Sequence, residues 1–112
     1  MKGLMEEFGK GLVVEPYVST VLIAGGLLAK VGNAEQKSEI LAGIIDGSRK
    51  LALAAVEPQS RFDLFDVQTT ATSSAEGYQL NGAKAMVLHG GSADTFIVSA
   101  RAAGDSRDRE GV

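Results

Sequence analysis

The hydrophobic pattern of this 112-residue chain changes period near Ser48, and that change limits the folds open to it. Before Ser48 apolar residues recur every three or four positions, as one face of a helix requires. After it they come in short runs and alternations, as strands require. The fold class expected is therefore α+β: a three-helix N-terminal segment followed by an antiparallel β-sheet or incomplete β-barrel. A chain of this length fits one ordinary domain or pieces of two. The change of period suggests two pieces, residues 1–47 and residues 48–112.

Leu4, Met5, Phe8, Leu12 and Val13 make the first helical stripe, which Gly9 and Gly11 weaken. Pro16 suits the first turn of a second helix, expected to run to Gly32. It is apolar nearly all round and should lie between other elements. In "GNAEQKSEILAGIIDG", Gly32 ends that helix, Asn33 caps the next, and Gln36 reaches back to complete a capping box. Glu35 favours the positive end of the helix dipole. Ile40, Leu41, Ile44 and Ile45 form the third stripe, and Asp46-Gly47 stops it.

The continuous run "LALAAV", Leu51 to Val56, reads as a strand buried on both faces and ended by Glu57-Pro58. Val67 to Thr72 alternates, "SSAEG" turns the chain, and Tyr78 to Leu80 resumes. Asn81-Gly82 is a strong hairpin signal, so Ala83 to Leu88 is expected as the next strand and Thr95 to Ala100 as the fifth. The ending "RAAGDSRDREGV" is polar and closes on Val112 as if another strand were about to begin. A sheet stopping there would leave an open edge, so the chain is expected to be a fragment.

A net charge of −3 with 22% charged and 45% hydrophobic residues gives no expectation of a nucleic-acid partner. The absence of cysteine removes disulfides, thiolate metal sites and cysteine nucleophiles, and suits a cytoplasmic location. The most apolar stretch, Tyr17 to Val31, is shorter than the roughly 18 to 20 residues of a membrane span. "MKGLMEEFGKG" places two glutamates where a signal peptide's apolar region would begin, so neither membrane insertion nor export is expected.

His89, the single histidine, has no cysteine, second histidine or nucleophile-elbow serine near it, so no metal and no triad is expected, and it reads as a turn residue before Gly90-Gly91. Those glycines match no phosphate loop, but they suit a tight bend or a flat ligand equally. Glu57 and Asp63 are conceivable as an acid and base pair. Carboxylates beside a proline turn are more often solvated or capping, and the structural role is favoured. Arg61 suits a phosphate, a neighbouring carboxylate or plain solvent.

Several stretches in this order and spacing resemble the acyl-CoA dehydrogenases. "MEEFGKGLVVEPY" is similar to the end of their N-terminal helical domain, and "VGNAEQKSEILAGIIDGSRKLALA" to the Gly-x-x-x-Gln-Lys helix leading into the middle domain. "EPQSRFDL", "VQTTA" and "GYQLNGAKAMVLHGGSADTFIVSAR" resemble the run from Thr-Glu-Pro-Gly through Asn-Gly-x-Lys to Trp-Ile-Thr-Asn-Gly-Gly. "EPQSR" and "VLHG" look most like the branch of pimeloyl-CoA dehydrogenase small subunits. The resemblance implies an FAD enzyme that oxidises an acyl-CoA to the trans-2-enoyl-CoA and passes electrons to an electron-transferring flavoprotein, as a homo- or hetero-oligomer. The family's glutamate base lies in a C-terminal helical domain, so no catalytic residue is expected in this chain, which should not turn over alone.

Carried over by position, Leu53, Ala55 and Val56 fall on the strand facing the flavin ring. Phe62 takes the place of a serine near flavin and acyl-CoA. Met86 stands where a tryptophan covers the ring, Val87 beside it, and Leu88 where a threonine bonds the flavin. Each hydrogen bond so lost is worth about 0.5–1.5 kcal/mol. Two further readings therefore accompany the enzyme fragment: a structural subunit of a heteromeric dehydrogenase with degenerate flavin contacts, and a binding module without redox chemistry.

Overall fold

One hydroxyl bonds the helical half of the chain to the backbone of the first strand. Thr20 Oγ1 donates to the Leu51 carbonyl at 2.9 Å and accepts from the Leu51 N–H at 3.1 Å, satisfying both backbone groups where the strand enters the core. A computed structural model describes residues 1–112, and the chain is α+β. Helix α1 is Lys2–Lys10. Helix α2 has a π-helical half, Val18–Gly25, continued by an α-helical half, Gly26–Val31. Helix α3 runs through Ala34–Gln36, a π-helical Lys37–Leu41 and Ala42–Ile45. The strands are β1 (Leu51–Ala54), β2 (Thr70–Ser74), β3 (Gly77–Asn81) and β4 (Thr95–Val98). No helix is long and apolar enough to cross a membrane.

The second and third helices stop where expected, at Gly32 and Asp46, but the first ends at Lys10, and Leu12, left-handed at φ 50° and exposed, falls outside the expected stripe together with Val13. Asn33 accepts from the Gln36 N–H at 2.8 Å while the Gln36 side chain accepts from the Asn33 N–H at 3.0 Å, the complete reciprocal cap. Phe8 meets Tyr17 edge to face at 5.1 Å between ring centres, which fastens α1 to α2. The departure is in α2. Its buried residues are Ser19 and Thr20, then Ala24 and Gly25, a repeat of five that matches the wider π turn rather than 3.6. Gly25 lets the widened turn close, since a Cβ there would sit 3.0 Å from the Thr20 carbonyl oxygen.

The strand pairing differs from the expected single antiparallel run of five. β2 and β3 form an antiparallel hairpin across "SSAEG", with Ser74 opposite Gly77. β1 instead pairs with β4 in parallel, Leu51 opposite Thr95 and Ala54 opposite Val98. Ala83 to Leu88 is not a strand. Only the Ala85 N–H bonds this stretch to the extension of β1, at the Val56 carbonyl, 2.8 Å away. Met86 then turns left-handed at φ 51°, breaking any ladder.

Asn81-Gly82 is not a hairpin turn, and Gly82 is needed for contact rather than for φ. A Cβ on it would meet the Thr69 Cα at 2.6 Å. The backbone crossing at this point leaves no room for a side chain.

The core is small: Ala24, Leu28, Leu51, Ala52, Ala54 and Val67. Burying Leu51 alone contributes about 2 kcal/mol. The C-terminal segment is not a nascent strand. It folds back around Arg101, whose guanidinium donates to the carbonyls of Val67, Phe65, Ser106, Asp108, Glu110 and Ala103 at 2.9–3.4 Å. The Arg101 backbone meanwhile joins β2, donating to the Thr69 carbonyl at 2.7 Å and accepting from the Ala71 N–H at 2.8 Å.

Replacing Gly82 by alanine is expected to cost about 1–3 kcal/mol in urea unfolding, and a second change, Thr69→Ala, should not recover it because the clash includes the Thr69 backbone. Recovery in the double variant would contradict the close-approach role. Arg101→Lys keeps the charge but lacks the fork that spans six carbonyls, and a loss of about 2–4 kcal/mol is expected by the same measurement.

Candidate functional site

β1 and its extension to Val56, the Met86–Leu88 stretch and one face of α2 border an open apolar hollow of about 180 Å³, in which Met86, Leu88 and Leu64 remain exposed. It is lined by Leu53, Ala55, Val56, Met86 and Leu88, together with Ser19, Ile23 and Leu64. Of the residues singled out in the sequence, the structure thus brings five together. Phe62 is not among the lining residues. It lies 80% exposed on a loop where Arg61 and Phe62 take φ of 45° and 74°, and the loop contributes Leu64 to the cavity instead. Val87 is not in the lining either and packs toward Gly90, where an added Cβ would meet it at 3.2 Å.

Ser19 and Ile23 were missed because α2 reads as apolar all round, which gives no face. Their spacing of four on the element next to β1 was the available signal. Leu64 carried no periodic signal at all.

The cavity's polar equipment is backbone. Neither the Ala55 nor the Val56 N–H makes a hydrogen bond within the chain. The Ser19 hydroxyl, the only polar side chain in the lining, donates to the Pro16 carbonyl at 3.1 Å. No titratable side chain lines the cavity, so it has no acid or base of its own.

Directly after Val56 stands a buried network. Glu57 is 2% exposed, and its two oxygens accept from Lys84 Nζ at 2.8 Å, the Thr69 N–H at 2.9 Å, the Gln68 N–H at 2.8 Å and Gln59 Nε2 at 2.7 Å. Burial alone would raise its carboxyl, but Lys84 and the donors of Thr69, Gln59 and Gln68 outweigh it and hold the group below the usual carboxylate range. Lys84 also donates to Ser99 Oγ at 2.9 Å. Glu57 is neither solvated nor half of an acid and base pair: Asp63 is exposed and its carboxylate caps the Phe65 N–H at 3.0 Å. Arg61 is exposed, and His89 sits at a left-handed corner before the short turn Gly90–Ser92.

The acyl-CoA dehydrogenase middle domain matches residues 52–112, more than half of the chain. The chain belongs to the acyl-CoA dehydrogenase family. The solved butyryl-CoA dehydrogenase of Megasphaera elsdenii superposes with a TM-score of 0.71 at 32% identity, over 77% of this chain and 23% of that one. The FAD complex of PigA does so with a TM-score of 0.62 at 35% identity, over 67% and 20%. The caffeyl-CoA reductase-Etf complex subunit CarC of Acetobacterium woodii is 35% identical over 99 residues, 87% of this chain and 26% of that protein. The chain spans only about a fifth to a quarter of its relatives' length, from 19% to 26% in three of them.

The network makes a pH prediction. A carboxyl held low in the folded state stabilises above its unfolded value of about 4.3, and loses that contribution as pH falls below it. Stability should therefore drop by on the order of 2 kcal/mol more between pH 5 and pH 2 in the parent chain than in Glu57→Gln. Parallel curves from denaturant melts across that range would contradict the folded-state assignment of Glu57.

Proposed function

We propose that this chain supplies one wall of the flavin site of an acyl-CoA dehydrogenase, as a fragment comprising the end of a helical domain, residues 1–47, and the first part of a middle domain, residues 48–112. The observation that carries the reading is the cavity gathering Leu53, Ala55, Val56, Met86 and Leu88. Their character fits a flat, largely apolar ring with acceptor atoms at its edge. Leu53 and Leu88 provide apolar surface, Met86 packs its polarizable sulfur on an aromatic face, and the unpaired N–H groups of Ala55 and Val56 meet acceptors. At about 180 Å³ the hollow is below the roughly 300–1,000 Å³ of a complete ligand site, so on this reading the rest of the site comes from outside these residues.

FAD, when bound, supplies the acceptor for the hydride removed in oxidising an acyl-CoA to the trans-2-enoyl-CoA. This chain's residues hold and orient the ring and exclude water from one side. Phe62, exposed on its loop, is the residue we assign to flavin and acyl-CoA contact, and Val87, beside Met86, is assigned to the flavin with it. The base comes from outside this chain, and electrons pass to an electron-transferring flavoprotein, a reading that the Etf complex relative supports. The protein acts as a homo- or hetero-oligomer in the cytoplasm, and its branch is that of pimeloyl-CoA dehydrogenase small subunits.

One observation favours a second reading, a structural subunit with degenerate flavin contacts: no side-chain donor in the lining is free to bond a ring, the Ser19 hydroxyl being committed to Pro16. Flavin titration separates the two. Under the first reading the chain quenches FAD fluorescence, and Leu88→Thr tightens binding about three- to tenfold, the worth of one added hydrogen bond. Absence of binding by both proteins favours the structural subunit. Acyl-CoA oxidation by the chain alone would contradict the external base.

A further inference from the structure

Buried ion pairs are seldom kept for stability alone, because packed apolar residues of the same volume do as well or better. The Glu57–Lys84 pair therefore calls for another role, and its neighbours suggest one. Glu57 follows Val56 and Lys84 precedes Ala85, and the Ala85 N–H bonds the Val56 carbonyl at 2.8 Å. The ion pair and this hydrogen bond are adjacent rungs between the same two segments. Lys84 also reaches Ser99 Oγ at 2.9 Å, and the Ser99 N–H bonds the Ala54 carbonyl at 3.2 Å, so the ammonium joins the ends of β1 and β4 to the stretch beginning at Ala85.

That stretch has little else to place it. It has no ladder, and the left-handed Met86 that follows is a conformation costing about 1–2 kcal/mol that its surroundings must enforce. The other polar cluster near it carries nothing comparable. A hollow beside Thr69 and Asn81 contains the unpartnered Thr69 Oγ1, but that atom is sealed from solvent under Gly82.

We infer that Glu57 and Lys84 are a positioning pair that sets the distance between Val56 and Met86 and so the width of the flavin wall. The inference rests on the reading of that wall as a flavin contact. The pair touches no reacting atom. It acts through the Val56–Ala85 rung, holding Met86 and Leu88 opposite Leu53 and Ala55.

Amide hydrogen exchange on the 112-residue chain tests it, with the Ala85 amide read against the Ala52 amide of β1. In Lys84→Met the ratio should rise at least tenfold while β1 stays protected, and FAD affinity, by fluorescence quenching, should fall at least tenfold. An unchanged ratio in the folded variant would overturn the pair's positioning role. If Lys84→Met does not fold, Ser99→Ala decides: it removes one contact of the ammonium, a roughly threefold rise in the ratio is expected, and no rise overturns the inference. Should the unsubstituted chain fail to bind FAD, the flavin reading falls while the exchange ratio still tests the clamp.

Discussion

The carboxylate of Glu57 is buried, charged and fully bonded, and three stretches of chain far apart in sequence meet on it. Its own turn leaves β1, Gln68 and Thr69 lead into β2, and Lys84 follows β3. An ionised carboxylate out of water costs several kcal/mol unless its lone pairs are filled, so the four donors are a requirement and each fixes a segment. Arg101 is its cationic counterpart, bonded to the same residue, Thr69, through the backbone. This buried cation is satisfied by carbonyls, and the C-terminal segment is shaped by having to supply them. With an apolar core of only six buried side chains, these two charges do much of the work of specifying the β half.

The helical half solves a different problem. Because α2 widens to π geometry from Val18 to Gly25, it presents pairs of small residues five apart, and Ser19, Thr20, Ala24 and Gly25 let the helix lie close to β1. Close approach lets Thr20 reach the Leu51 backbone and places Ile23 over the cavity. The wall of the proposed flavin site is thus a product of both halves.

What the sequence made legible was local. The Asn33 to Gln36 cap, the helix stops at Gly32 and Asp46, the buried run from Leu51 and the turn at "SSAEG" all rest on neighbours within a few residues, and all are present. The parallel pairing of β1 with β4 joins residues 44 apart, and no periodicity encodes a partner. Asn81-Gly82 misled for a physical reason: glycine satisfies both a positive φ and a missing side chain, and here the second applied. Glu57 was assigned a structural role, solvated or capping; it caps the Gln68 and Thr69 N–H groups, and the sequence did not show its burial because that depends on Lys84, 27 residues on. That Leu53, Ala55, Val56, Met86 and Leu88 share one hollow was more legible than the sheet pairing, because a family resemblance carries three-dimensional placement that pattern does not. Phe62 and Val87 lie outside the lining, Phe62 because its loop turns it outward and offers Leu64 instead.

The central claim is that the face shared by β1, Met86 and Leu88 is where this member of the acyl-CoA dehydrogenase family meets a flavin. The most direct measurement is a heteronuclear NMR titration of the chain with FAD. Under this account the shifts cluster at Leu53, Ala55, Val56, Met86 and Leu88, with the Ala55 and Val56 amides moving most. Shifts confined to Gln59, Gln68 and Asn81, which line the separate polar hollow beside Glu57, would place the ligand in that hollow instead and contradict it.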